Sequence, residues 1–172
     1  MFSHMAVMYA NALYRRGMVR EGHKVLDDIY RHCRDFTVSR IYPGIPEYIS
    51  ARGRGLYPYL TGSASWYLLT LLNEVFGVKG VLGDLAFEPK LVQEQFGEDG
   101  AAGVLTLFAD RDLEIVYHNP RRLDYGAYAV RRIAVDGDEI PFKHQGNAAL
   151  VVRQVITALP KQAPHRIDIE LS

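Results

Sequence analysis

The hydrophobic period of this chain changes partway along, and that change limits the possible folds more than any single motif does. Up to residue 77 apolar side chains recur three and four positions apart, whereas after "GVKGVLGD" they alternate with polar ones. A 3.6-residue period turns one stripe of a helix to a core; a period of two turns one face of a strand there. The chain therefore reads as α+β, with helices in residues 1–80 and an antiparallel β-sandwich in residues 81–172.

Within the first segment, Met5, Met8, Tyr9, Ala12 and Leu13 predict a helix over 3–16 that stops at Gly17. Val25, Leu26, Ile29, Tyr30 and Cys33 predict a second helix over 20–35, and a third over 63–76 ends at Gly77. Between them, residues 36–60 lose the period and gather Pro43, Gly44, Pro46, Gly53, Gly55 and Pro58, the composition of a long irregular loop. In the second segment "LAFEP", "GVLTLFA", "LEIVYHN", "AYAVRRIAVDG" and "HRIDIEL" alternate like strands, with Asp136-Gly137 as a hairpin turn. "NAALVVRQVITAL", over 147–159, fits either a buried strand or a short helix capped by Asn147, and helix is the expectation. Three helices this apolar cannot close a domain alone. They are expected to pack on the sandwich, on a second copy or on an absent part of a larger fold, with Met8, Leu13 and Leu68 favouring self-association. The abrupt helical start, "MFSHMAVMYANALYRRG", gives the expectation of a piece whose beginning lies inside such a fold.

Twenty basic residues balance twenty acidic ones, which argues against nucleic acid or an anionic membrane as partner. The longest apolar stretch, 64–76, carries Ser65, Thr70, Asn73 and Glu74 and is too short and polar to span a bilayer. A single cysteine, Cys33, and no leader pattern give a cytoplasmic expectation.

The chemistry concentrates in "YLTGSASW". Thr61, Gly62, Ser63 and Ser65 stand at the mouth of the third helix. Two readings are open. Thr61 or Ser63 is an ordinary N-cap, or the leading amides and the helix dipole receive an anion, with Arg52 and Arg54 adding charge. His4 offers a second candidate, a neutral imidazole suited to a phosphate or sugar hydroxyl near a helix start. His23, His32, His118, His144 and His165 lack metal-ligand spacing, so no metal site is expected. "TGSAS" lacks the strand and second glycine of a nucleophile elbow, and Asp27 and Asp28 read as a solvated helix face.

"YPYLTGSASWYLLTLLNEVFGVKG" followed by "GDLAFEPKL" closely resembles the C-terminal region of the inverting β-glycoside phosphorylases, the cellobiose, chitobiose and β-1,2-oligoglucan phosphorylases of glycoside hydrolase family ninety-four. "FSHMAVMYANALYRRGMVREGHKVL" is similar to that family's Phe-x-His helix, and "LEIVYHNP" with "IAVDG" to its terminal sandwich. The resemblance implies the last helices of an (α/α) barrel followed by a jelly-roll-like sandwich. It implies that Thr61 and Gly62 bind phosphate beside Ser63, with His4 as the phosphate-side histidine. Glu47 and Tyr48 of "IYPGIPEYISARGRG" are then expected to line a sugar subsite. The family's general-acid aspartate and upstream phosphate arginine match no residue here, so no catalytic residue is assigned and the chain alone is expected to be inactive. Inorganic phosphate enters as co-substrate and no cofactor is expected. Expected partners are a β-linked oligosaccharide or glucose 1-phosphate, the missing N-terminal part of the parent and a second copy in a homodimer. Two other readings are a non-catalytic carbohydrate-binding or dimerisation module and a piece of a cyclic β-1,2-glucan synthase.

Overall fold

The computed structural model describes all residues, 1–172, as a mixed α+β protein that divides into two compact units, Met1–Val75 and Phe76–Ser172. No helix is long and apolar enough to cross a membrane.

In the first unit α1 (Ser3–Arg15) and α2 (Val19–Arg34) form a helical hairpin. Gly17, at φ 76°, takes the left-handed turn between them, and the Gly17 and Met18 amides return to the carbonyls of Tyr14 and Leu13. The helices approach closely because Gly22 presents no side chain where the Tyr14 ring lies. On the solvent side of α2, Lys24–Asp28 and Arg31–Asp27 pair one turn apart. A one-turn α3 (Phe36–Ser39), capped by the Asp35 carboxylate, leads to a small hairpin of β1 (Tyr48–Ile49) and β2 (Gly55–Leu56). Then α4 (Gly62–Thr70) continues into a π-helical turn, Leu71–Val75. Its Thr70 hydroxyl accepts from buried Asn11 at 3.2 Å, and Tyr67 donates to the Leu26 carbonyl.

In the second unit β3 (Val78–Val81), β4 (Asp84–Phe87), β9 (Lys143–Gln145) and β10 (Ala148–Val151) make one sheet, ordered β3-β4-β10-β9. The other contains β5 (Ala101–Phe108), β6 (Arg111–His118), β7 (Val130–Val135), β8 (Asp138–Glu139) and β11 (His165–Leu171), ordered β5-β6-β11-β7-β8. Alternate residues are buried as a period of two requires: Leu85 and Phe87, Leu113, Ile115 and Tyr117, and Ile167, Ile169 and Leu171. Between β10 and β11 lies α5 (Arg153–Thr157). Asp84 accepts from its Arg153 amide, and the Arg111 guanidinium gathers the carbonyls of Thr157 and Leu159 at its end.

Several expectations need correction. On α1 the predicted apolar face is not the buried one: Val7, Ala10, Asn11, Leu13 and Tyr14 are covered, while Met5 and Tyr9 stand 58% and 59% exposed. Leu13 is thus core rather than an exposed contact, unlike Met8 and Leu68. This helix is apolar nearly all round, so its pattern does not single out one face. Residues 36–60 contain α3 and the β1–β2 hairpin rather than irregular loop alone. The second unit is not wholly antiparallel, because β11 runs parallel to β6. The chain reaches β11 through the other sheet and α5, a connection long enough to re-enter in the same direction. Residues 147–159 are strand and then helix: β10 buries Ala149 and Val151 by alternation, and α5 begins only after Val152, so Asn147 is not its cap. Asp136-Gly137 does form the expected turn, with φ of 52° and 95°, between β7 and β8.

That turn is pinned from behind. His165, buried, directs Nδ1 to Asp136 at 2.6 Å and Nε2 to the Pro160 carbonyl at 2.8 Å. Both partners only accept, so the ring needs two N–H groups and is a cation. The Asp136 hydrogen bond and the Pro160 carbonyl raise the His165 pKa, against partial desolvation and the nearby Arg111 charge; the Asp136 carboxyl is correspondingly lowered. A raised histidine stabilises the fold below its unfolded pKa, and that contribution disappears as pH rises through the folded value. The lowered carboxyl contributes above its unfolded pKa and is lost in acid. His165→Ala is expected to cost about 2 kcal/mol at pH 6, with the difference from wild type narrowing above neutrality, as read by urea unfolding across pH. A constant difference from pH 6 to 9 would contradict the charged-ring assignment.

Candidate functional site

Thr61 is extended, at φ −112° and ψ −174°, and its side chain makes no capping bond to the helix amides. The acceptor at the start of α4 comes instead from Glu47, on the strand side of the preceding loop. Its Oε2 accepts from the Ser63 amide at 3.0 Å and lies 3.0 Å from the Ser63 hydroxyl. Ser63, fully buried, has one hydroxyl hydrogen to share between Glu47 and the Pro46 carbonyl at 2.8 Å, while its oxygen faces the Thr61 hydroxyl at 3.2 Å. The Thr61 hydroxyl, the Ser63 amide and the Ser63 hydroxyl hold the Glu47 carboxyl below the usual range against partial desolvation, and His4 adds a smaller electrostatic pull. The Thr61 influence is the largest, and its hydroxyl also lies 3.2 Å from that of Ser63.

His4 arrives from the first turn of α1. Its Nδ1 lies 3.4 Å from Glu47 Oε1, and its Nε2 is buried without a hydrogen-bond partner. The ring sits directly over Gly62, where a Cβ would collide with Cε1 and Nδ1. Glycine here is a matter of close approach, since only a residue without a side chain lets the imidazole reach the helix mouth. The backbone of Glu47 completes the junction. Its carbonyl accepts from the Ser3 amide at 2.9 Å and its amide donates to Tyr57, while the terminal ammonium of Met1 donates to Ile49.

The sequence-selected residues His4, Glu47, Thr61, Gly62 and Ser63 therefore meet in one cluster within the first unit. Glu47 lies at the helix mouth itself, with its carboxylate on Ser63. Tyr48, its neighbour, points elsewhere and stacks on Phe2 at 4.9 Å between ring centres. Tyr57 and Tyr59 extend this row by edge contacts of 5.9 and 6.1 Å, and Phe2 meets the His4 ring edge-on. All four aromatic residues are exposed. Sequence reasoning missed Phe2, Tyr57 and Tyr59; the run "LYPYL" was the available signal. Arg52 and Arg54 are exposed at the turn between β1 and β2, on the far side of that hairpin's sequence from Glu47. The other histidines do not converge: His32 meets the Gly53 carbonyl, and His118 pairs with Asp168, whose carboxylate Arg166 also holds.

Chemically the cluster is a helix amino end already supplied with an anion of its own. Of the three leading amides of α4, that of Ser63 is taken by Glu47, and those of Gly62 and Ala64 are left to other acceptors. No protein-family model and no curated protein matches this chain.

Adding one methyl group tests the close approach. Gly62→Ala is expected to displace the His4 ring and cost about 1–3 kcal/mol, seen as a lower unfolding midpoint together with a shifted His4 imidazole resonance. An unmoved resonance would show that the ring does not rest on the glycine.

Proposed function

We propose that this chain supplies the phosphate-side wall of an inverting β-glycoside phosphorylase. On this reading the helices of the first unit are the last helices of an (α/α) barrel, and the second unit is a jelly-roll-like C-terminal domain. The supporting observation is the meeting of His4 with Gly62 and its hydroxyl-bearing neighbours at one helix amino end. Phosphate would take the open amides of α4, the Thr61 hydroxyl and a nitrogen of His4. These donors favour an anion without requiring a base, since phosphate arrives already charged.

In the reaction, phosphate attacks the anomeric carbon of a terminal β-linked sugar from the face opposite the leaving group. The glycosidic bond breaks as an aspartic acid from the upstream part of the parent protonates the departing oxygen, giving a sugar 1-phosphate and a shortened acceptor. Phosphate thus stands where an inverting hydrolase holds its activated water. The role of this chain is positional and electrostatic: it holds the nucleophile on the correct face and lowers the energy of its bound state.

One observation favours a second reading. The bonds from Ser63 to Glu47 satisfy part of the helix mouth internally, as a capping carboxylate does, and fit a non-catalytic module that binds no phosphate.

Titration calorimetry with inorganic phosphate separates the two. The phosphorylase reading expects binding in the millimolar range, about −4 kcal/mol, weakened at least tenfold by Thr61→Ala and by His4→Gln. It also expects Glu47→Gln to bind phosphate more tightly, because a competing charge is gone. Mixed with the upstream portion of its parent, the chain is expected to release glucose 1-phosphate from a β-glucan oligomer. Absence of phosphate binding in both wild type and Glu47→Gln would leave only the capping role.

A further inference from the structure

Four strands end the two sheets of the second unit, and three of them are guarded. β3 has four residues and carries Lys79, β8 is two acidic residues, and β9 is three exposed residues including Lys143. Short length and charge keep such edges from pairing with other chains. The fourth, β5, has neither protection: it runs for eight residues, "AAGVLTLF", without a charge or a proline.

The phase of β5 shows which of its backbone groups are free. β5 and β6 are joined by a two-residue turn, Ala109-Asp110, with both residues at positive φ and Phe108 opposite Arg111. In such a hairpin the flanking pair exchanges both hydrogen bonds, so Ala102, Val104, Thr106 and Phe108 direct N–H and C=O toward β6. The Asn119 amide bonding to the Gly100 carbonyl at 2.8 Å keeps the same phase beyond the strand. Gly103, Leu105 and Leu107 therefore aim their amides and carbonyls outward, where no strand of the sheet meets them. Two of their side chains are also bare, Leu105 at 79% and Leu107 at 65% exposed.

We propose that β5 pairs antiparallel with β5 of a second copy, about a two-fold axis at Leu105. In that register Leu105 lies opposite its own counterpart, and Gly103 lies opposite the partner's Leu107. All three positions are in the outward phase, so the pairing forms about six backbone hydrogen bonds, two for each facing pair. The side chains complement one another as well: the missing side chain at Gly103 makes room for the leucine across from it, twice by symmetry. Such self-complementarity is what a two-fold interface demands. A neutral strand also places no like charges face to face, and the nearest acid beside Leu105, Glu114, already has Arg166 at 3.6 Å. A foreign strand can satisfy the same hydrogen bonds, but the palindromic match of phase and size selects a second copy. The inference does not depend on any reading of α4.

Sedimentation of the full chain over a concentration series tests it. Wild type is expected to reach twice the monomer mass as concentration rises. Leu105→Lys, which sets two ammonium groups together at the axis, is expected to weaken association at least tenfold with unchanged circular dichroism, since that backbone makes no bond to β6. Hydrogen exchange supplies the residue-level readout: the amides of Gly103, Leu105 and Leu107 are expected to slow with concentration in wild type and not in Leu105→Lys. A wild type that stays monomeric overturns the proposal and leaves the edge to a foreign strand. So does a dimer that Leu105→Lys does not weaken, or one in which those three amides exchange as fast as in the monomer.

Discussion

One carboxylate organises the first unit. Glu47 reaches the amino end of α4 with its side chain and the start of α1 with its backbone carbonyl, and its amide holds the β1–β2 hairpin through Tyr57. Three segments far apart in sequence thereby share a single residue. A helix amino end is the place where a negative charge is most stabilised by unpaired amides and by the dipole. A buried Ser63 beside it needs an acceptor for its hydroxyl hydrogen, and Glu47 and Pro46 share that duty. The position of His4 follows from the same junction, because the bond from Ser3 to Glu47 fixes the first turn of α1 next to Gly62.

The second unit solves its corresponding problem with a cation. Its β7–β8 turn, the end of α5 and the start of β11 meet around two buried cations. His165 ties the turn to the Pro160 carbonyl, and Arg111 collects the carbonyls that end α5. Both cations are nearly covered, and the hydrogen-bond partners of each are groups that can only accept. Burying a charge is costly unless its hydrogen bonds are filled, and here every ring and guanidinium nitrogen has an acceptor.

These two devices also mark the limit of what the sequence discloses. The change of period was legible because α and β patterns differ over many residues, and Gly17 and Asp136-Gly137 were legible because their backbone angles demand those residue types. The Thr-Gly-Ser group was legible as a helix mouth for the same local reason. What stayed hidden depends on contacts across the fold. The buried face of α1 is chosen by its neighbours, since both faces are apolar. The parallel entry of β11 is a property of the connection, which leaves no local trace. Glu47 stands beside Tyr48 in a proline- and glycine-rich stretch, and nothing in residues 36–60 says that its carboxylate turns inward to a helix sixteen residues on.

On the phosphorylase reading proposed above, the size of the electrostatic terms decides how the mouth of α4 would receive phosphate. Holding phosphate within about 4 Å of the Glu47 carboxylate costs about 4 kcal/mol for each unit of charge at an effective dielectric constant near 20. Releasing the carboxylate from the helix costs about 1 kcal/mol, the ordinary value of a cap. Displacement is therefore the cheaper route. The Glu47 backbone stays anchored through the Ser3 and Tyr57 bonds, so a rotation of the side chain suffices. That rotation releases the Ser63 amide and hydroxyl and the His4 ring together, so the full set of donors exists only when the internal anion has left. A penalty of this size would lower affinity for an external anion about fivefold, while the internal carboxylate keeps the helix end satisfied when no such anion is bound.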